Sequence, residues 1–148
     1  MSDATLLARC HCGATSIFGE ASAQGALHCH CGLCRRLSGA AFTTWVSLPD
    51  AGSRIEGEAR LLRYAATSNV ERHFCAHCGT HLFTRDRRYP GVLGVPAGVM
   101  TGAVPAPSGN YFWRDRARWC DDAQALPRFG GASGFEPLGD DDNEEPRR

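Results

Sequence analysis

Seven of the eight cysteines in this 148-residue chain fall into three tight groups: Cys10-x-Cys12, Cys29-x-Cys31-x-x-Cys34 and Cys75-x-x-Cys78. Thiols one or two residues apart sit on a single turn and can aim at one ion at ~2.3 Å, with the turn's amides supporting their charge. Gly13 follows Cys12 and Gly79 follows Cys78, as a chain reversing tightly behind a metal-binding turn requires. Met1 to Arg9 lacks a charged start, an apolar run and a small-residue cleavage site, so no export signal is read there. The expected location is the cytoplasm, where thiols stay reduced and clustered cysteines point to metal before disulfide. The pattern predicts two zinc ions.

Seven ligands do not divide into two sets of four. The simplest partition is one closed four-cysteine site and one three-cysteine site. A closed site is structural, whereas a three-ligand zinc keeps a position for water or substrate. Cys10/Cys12 with Cys29/Cys31 would make a short ribbon. Cys10/Cys12 with Cys75/Cys78 leaves the triple cluster whole and is the preferred pairing, with both open on sequence alone.

The rest of the chain reads as short strands. Segments 14–21, 25–28, 42–48, 54–57, 61–65, 70–75, 81–85, 92–97 and 110–113 are rich in β-formers, and Gly, Pro, Ser or Asn stands between most of them. Leu33 to Ser38 suits one helical turn ended by Gly39. No window holds a long amphipathic helix, so the expected class is mainly β, as one zinc domain over residues 1–129. From Gly130 the chain turns small, polar and acidic and reads as a flexible tail over 130–148. Trp45, Trp113 and Trp119 are expected in the core, and Cys120, apart from the clusters, as a buried free thiol.

Composition removes some functions. Sixteen basic residues, every one Arg, balance sixteen acidic ones, which argues against a nucleic-acid binder. No apolar run approaches the ~18 residues of a membrane span.

The run HCHCGLCRRLSGAAF, then FCAHCGTHLF, then FWRDRARW followed by ALPRF, resembles the glutathione-dependent formaldehyde-activating family, from about Cys10 to Phe129. The resemblance implies the Mss4-like fold, a set of coiled antiparallel sheets shared with a nucleotide-exchange accessory factor. It implies Cys10, Cys12, Cys75 and Cys78 as ligands of a structural zinc, and Cys29, Cys31 and Cys34 as ligands of a catalytic one. It implies a carbon-sulfur lyase reaction run backwards, joining formaldehyde to glutathione to give S-hydroxymethylglutathione. Two places depart from the family: Asn110 stands where relatives often have His, and Ala117-Arg118-Trp119 where many have Ala-Pro-Trp.

Chemistry supports the triple cluster independently. Three thiolates on a zinc dication leave about one net negative charge and an open position, where a substrate thiol would lose its proton and a small aldehyde would be polarised. Arg35 and Arg36 follow directly and are the candidates to grip the carboxylates of an anionic thiol such as glutathione. His28 and His30 flank or interrupt the cluster and, by strand alternation, face the side opposite Cys29. They could move a proton or, like Cys120, fill the fourth position. His11, His77 and His81 lie beside the other set, where hydrogen bonds to sulfur or exposure explain them. The leading expectation is a carbon-sulfur lyase-like enzyme; the alternative is a non-catalytic zinc domain that binds a protein partner. The residues leave the oligomeric state open.

Overall fold

The structure is a computed structural model that describes residues 5–20 and 23–139. The chain divides into two compact units, Met1–Arg116 and Ala117–Arg148.

The first unit is built from ten strands: β1 (Thr5–Arg9), β2 (Ser16–Gly19), β3 (Gly25–Cys29), β4 (Thr43–Pro49), β5 (Ser53–Glu56), β6 (Leu61–Ala65), β7 (Val70–Cys75), β8 (His81–Asp86), β9 (Val92–Pro96) and β10 (Pro107–Tyr111). A helix, α1 (Gly32–Ser38), separates β3 from β4. Strands β1, β2 and β5 form a small antiparallel sheet, and the other seven form a sheet in the order β10-β3-β4-β9-β8-β7-β6. The second unit holds short 3-10 turns and a pair, β11 (Phe129–Gly130) with β12 (Glu136–Pro137), which begins at the end of the expected domain and runs into the segment 130–148 expected as a tail. Residues 140–148, the acidic end of that expected tail, and residues 1–4 lie outside the described residues.

Alternation places the core. Val46 and Leu48 of β4 stand directly opposite Val95 and Leu93 of β9, and all four are fully buried. Such cross-strand pairs are the unit of sheet stabilisation. The same face continues through Phe83 to His73 on β7, whose rings stack at 4.1 Å. Ile17 and Ala8 of the small sheet close over this core, and Cys10 and Cys75 are part of it. The opposite face of the large sheet carries Trp45, Thr84 and Arg72. Gly94 leaves room there, since a Cβ on it would lie 3.4 Å from the Trp45 ring.

Several expectations are corrected. Thr5–Arg9, which is not among the expected strands, is a strand; it is also tied to the segment after β9, with Thr101 N donating to Leu7 O at 3.0 Å. The last strand starts at Pro107 and stops at Tyr111, because Phe112 takes a left-handed conformation (φ 56°) that turns the chain into a 3-10 turn at Trp113. That strand runs parallel to β3, an exception within antiparallel sheets, since the long connection from β9 lets it enter in the same direction. Trp113 and Trp119 are exposed, and only Trp45 is substantially covered. The helix, which begins within the triple cluster, runs to seven residues, and Gly39 ends it with a positive φ as expected.

Candidate metal centres

Two turns build the first set. Cys10 N donates to Thr15 O and Gly13 N to Cys10 O, which curls residues 10–15 so that Cys10 and Cys12 face one point. The hairpin between β7 and β8 repeats the device: Gly79 N donates to Cys75 O at 2.8 Å, and Gly79 takes a positive φ of 77° behind Cys78. His11 N donates to Thr80 Oγ1, linking the two turns. The sulfurs of Cys10, Cys12, Cys75 and Cys78 all lie within 4.8 Å of one another. Cys10 and Cys12 are 3.6 Å apart and Cys12 and Cys75 3.7 Å. A tetrahedron of sulfurs ~2.3 Å from a zinc ion has edges of about 3.8 Å, so the set fits that ion. Thr15 N donates to Cys10 Sγ at 3.3 Å, and the Thr80 hydroxyl lies 3.2 Å from Cys78 Sγ. That Thr80 contact, first among several, draws the Cys78 thiol down to about 5.

The second set comes from one continuous segment. β3 delivers Cys29, and Cys31 caps α1, its sulfur accepting from Cys34 N at 3.3 Å. Cys34 sits in the first turn of the helix and is buried. The three sulfurs lie within 4.8 Å of one another, and among the described residues no fourth Cys, His, Asp or Glu joins them. Three soft donors converging without a fourth suit zinc with an open coordination position. The hydrogen bond from Cys29, reinforced by Arg72 and Trp45, draws Cys34 down to about 5 against burial. Cys29 is pushed up, by the Cys34 sulfur beside it and by burial. Of Cys29 and Cys34, Cys34 is therefore the readier to become a thiolate.

The histidines are engaged elsewhere. His30 is buried, and its Nε2–H donates to Asn110 Oδ1 at 2.9 Å; its ring meets Phe42 and the edge of Trp113. Asn110 thus has a defined partner. His28 Nδ1 lies 2.8 Å from Thr44 Oγ1, and its ring also meets Phe42. His11 and His77 are exposed. His81 does not reach a sulfur: its Nε2 bonds Phe83 O and Thr84 Oγ1 while the ring stacks on Phe74 at 4.5 Å. Arg35 donates from Nη1 to Asp115 O at 2.8 Å, which brings the segment after β10 against α1. Arg36 is exposed, its guanidinium near Gly32. Cys120 is half-buried in the second unit.

One residue of this centre escaped the sequence. Arg72, on β7, donates from Nη2 to Cys34 Sγ at 3.4 Å and stacks on Trp45. The available signal was its place between Val70 and Phe74 on one face of an alternating strand.

Comparison with known proteins agrees with this arrangement. The family described as "Glutathione-dependent formaldehyde-activating enzyme" matches residues 5–115, which contain both cysteine sets. The chain belongs to the glutathione-dependent formaldehyde-activating enzyme family. A crystal structure of a Rhodobacter sphaeroides protein is similar in fold, with a TM-score of 0.56 at 24% identity, covering 71% of this chain and 99% of that one. The mainly β architecture, with cysteine sets that could hold metal ions, is the Mss4-like one that family membership implies. Both cysteine sets of this family member can hold a metal ion. No helix among its described residues is long and apolar enough to cross a membrane.

Proposed function

We propose that this family member is a zinc-dependent enzyme of carbon-sulfur lyase type that joins a small thiol to a small aldehyde, with glutathione and formaldehyde the first candidates. The observation that carries the reading is the convergence of Cys29, Cys31 and Cys34 without a fourth protein ligand among the described residues. Cys10, Cys12, Cys75 and Cys78 hold the structural ion, and Cys29, Cys31 and Cys34 hold the second. A zinc ion in the second set supplies Lewis acidity and lowers the proton affinity of an incoming thiol.

The chain's own residues do the rest. Arg36, exposed beside the cluster, and Arg35, with donors beyond the one given to Asp115, offer guanidinium forks to the carboxylates of the thiol. His30, anchored by Asn110, keeps its ring fixed at the edge of the cluster, so the wall beside the reacting sulfur does not shift. In the reaction the thiol S–H bond breaks, the sulfur forms a bond to the aldehyde carbon, and the proton ends on the former carbonyl oxygen. No oxidant or second product is needed. Eight cysteines, none of them disulfide-bonded, suit a reducing compartment such as the cytoplasm.

The test is the rate of formaldehyde exchange with glutathione, followed by NMR in the presence of zinc-loaded protein. Acceleration above the spontaneous rate, lost in Cys34→Ser, supports the enzyme. No acceleration with glutathione, cysteine or other small thiols would leave the chain as a zinc domain that binds a protein partner.

A further inference from the structure

Strand β7 carries a charge at a position turned into the protein. Arg72 is 2% exposed. Its guanidinium carbon lies 5.1 Å from the Trp45 ring centroid, so indole covers one face of the cation in place of water. Among the described residues no carboxylate pairs with it. Among the described residues its Nε and Nη1 are buried without a hydrogen-bond partner, and the one acceptor its side chain meets is Cys34 Sγ. An unpaired buried cation is costly, and the cost is met where an anion stands beside it. Here the group beside it is the Cys34 sulfur, an anion whenever the cysteine set holds a metal ion. Arg, which stays charged under all ordinary conditions, is suited to the role in a way Lys or His is not.

The geometry points to Arg72 as a positioning residue of the three-cysteine site, its buried charge offsetting the excess of thiolate there so that the site holds a divalent ion and still admits a fourth, anionic sulfur. The inference rests on reading Cys29, Cys31 and Cys34 as a metal site. Three thiolates and a dication alone carry about one negative charge, and an entering thiolate would double it. With Arg72 beside Cys34, the site is neutral before the ligand enters. The hydrogen bond also fixes the Cys34 sulfur, and partners of this kind are typically worth about 10–100-fold in metal affinity.

The experiment uses the full chain loaded with cobalt(II), whose thiolate charge-transfer bands report each sulfur bound. Arg72→Met keeps the length and removes the charge; Arg72→Lys keeps the charge and one donor. Chelator competition should show the first equivalent of metal held as in the wild type and the second weakened about 10–100-fold in Arg72→Met. Titration with 2-mercaptoethanol should then need more thiol to reach the four-sulfur spectrum, with Arg72→Lys recovering part of both effects. Unchanged affinity for the second ion and for the thiol in Arg72→Met would overturn the proposal. So would loss of both ions and of the fold in the Met and Lys variants alike, which would make Arg72 a structural support. A wild type that binds only one ion would overturn the metal-site reading itself, an outcome visible before any variant is made.

Discussion

Cys12 Sγ and Cys75 Sγ lie 3.7 Å apart across 63 residues of chain. That contact joins the turn after β1 to the hairpin between β7 and β8, and so ties the small sheet to the large one. An ion held there closes a long loop. The triple cluster, by contrast, spans six residues of one segment and closes almost none.

Cys75→Ser and Cys34→Ser should therefore behave differently. Structural zinc contributes on the order of 10 kcal/mol to the folding of small zinc peptides, against a reserve of about 5–15 kcal/mol in a whole domain. Cys75→Ser should give unfolded or insoluble protein. Cys34→Ser should keep its circular dichroism spectrum, lose one ion and lose thiol-dependent activity. Equal collapse would mean that both sites are structural.

Metal removal should proceed in two steps. Native mass spectrometry should show two zinc ions, then one after mild chelation, because the closed set offers no open position to a competing ligand. Simultaneous loss of both ions would contradict the division into a closed and an open site.

Replacing Arg35 and Arg36 together by Ala should raise the KM for glutathione more than it lowers kcat. Hydrogen bonds to charged groups contribute about 1.5–3 kcal/mol each, so a shift of about 10–100-fold is expected. A thiol without carboxylates, such as 2-mercaptoethanol, should be handled equally by both proteins. If it loses as much as glutathione does, the arginines do not read the carboxylates.

His81 should make the fold sensitive to mild acid. Burial, helped by Arg72, holds its imidazole down to about 4, below the usual 6.5. Between these values the unfolded chain binds the extra proton and the folded chain does not, so stability rises with pH across the window and falls on acidification. His81→Gln retains a donor for Phe83 O and removes the titration. Between pH 7 and 5.5 the wild type should lose about 1 kcal/mol more than the variant, or about 4 °C in Tm. Parallel Tm profiles would refute the assignment.

Gly57 should be far less replaceable than Gly39. Both take positive φ, 73° and 68°, but a Cβ at Gly39 meets open space while one at Gly57 collides with the carbonyl oxygen of Ala14. Gly39→Ala should cost about 1–2 kcal/mol of backbone strain. Gly57→Ala should cost more, and should loosen the structural ion, because moving Ala14 also moves the Thr15 amide off Cys10 Sγ. Chemical denaturation with chelator competition checks both statements.

Much of this centre was legible from spacing. Cysteines paired across short turns, with Gly13 and Gly79 behind them, can converge on an ion in few ways, and grouping whole clusters already favoured Cys10/Cys12 with Cys75/Cys78. Strands β6 and β7 were legible to the residue, because Leu61–Ala65 and Val70–Cys75 are flanked by clear breakers. Strand β1 was not, since Ala8 is its only fully buried side chain and no apolar rhythm marks it. The parallel pairing of β10 depends on which way a distant segment enters the sheet, which local sequence does not encode. Arg72 was hidden for a simpler reason: a charged residue reads as surface until the cysteine sulfur it meets is placed next to it. Trp113 misled in the opposite sense, being large and apolar yet held in the open against Arg116, 4.6 Å from its ring.

The position of β10 also has a consequence for the order in which the protein comes off the ribosome. The four-cysteine set is complete once Cys78 has emerged, but β3 keeps one bare edge until Pro107–Tyr111 follows and pairs with it. At about 5–20 residues per second the intervening stretch takes seconds to synthesise. During that interval the nascent chain has its metal-tied hairpin in place while the triple cluster stands beside an unpaired strand edge, the kind of surface on which stray chains pair. Arrival of the last strand, with His30 N donating to Tyr111 O at 2.9 Å, seals that edge at the very residues that flank the open sulfurs.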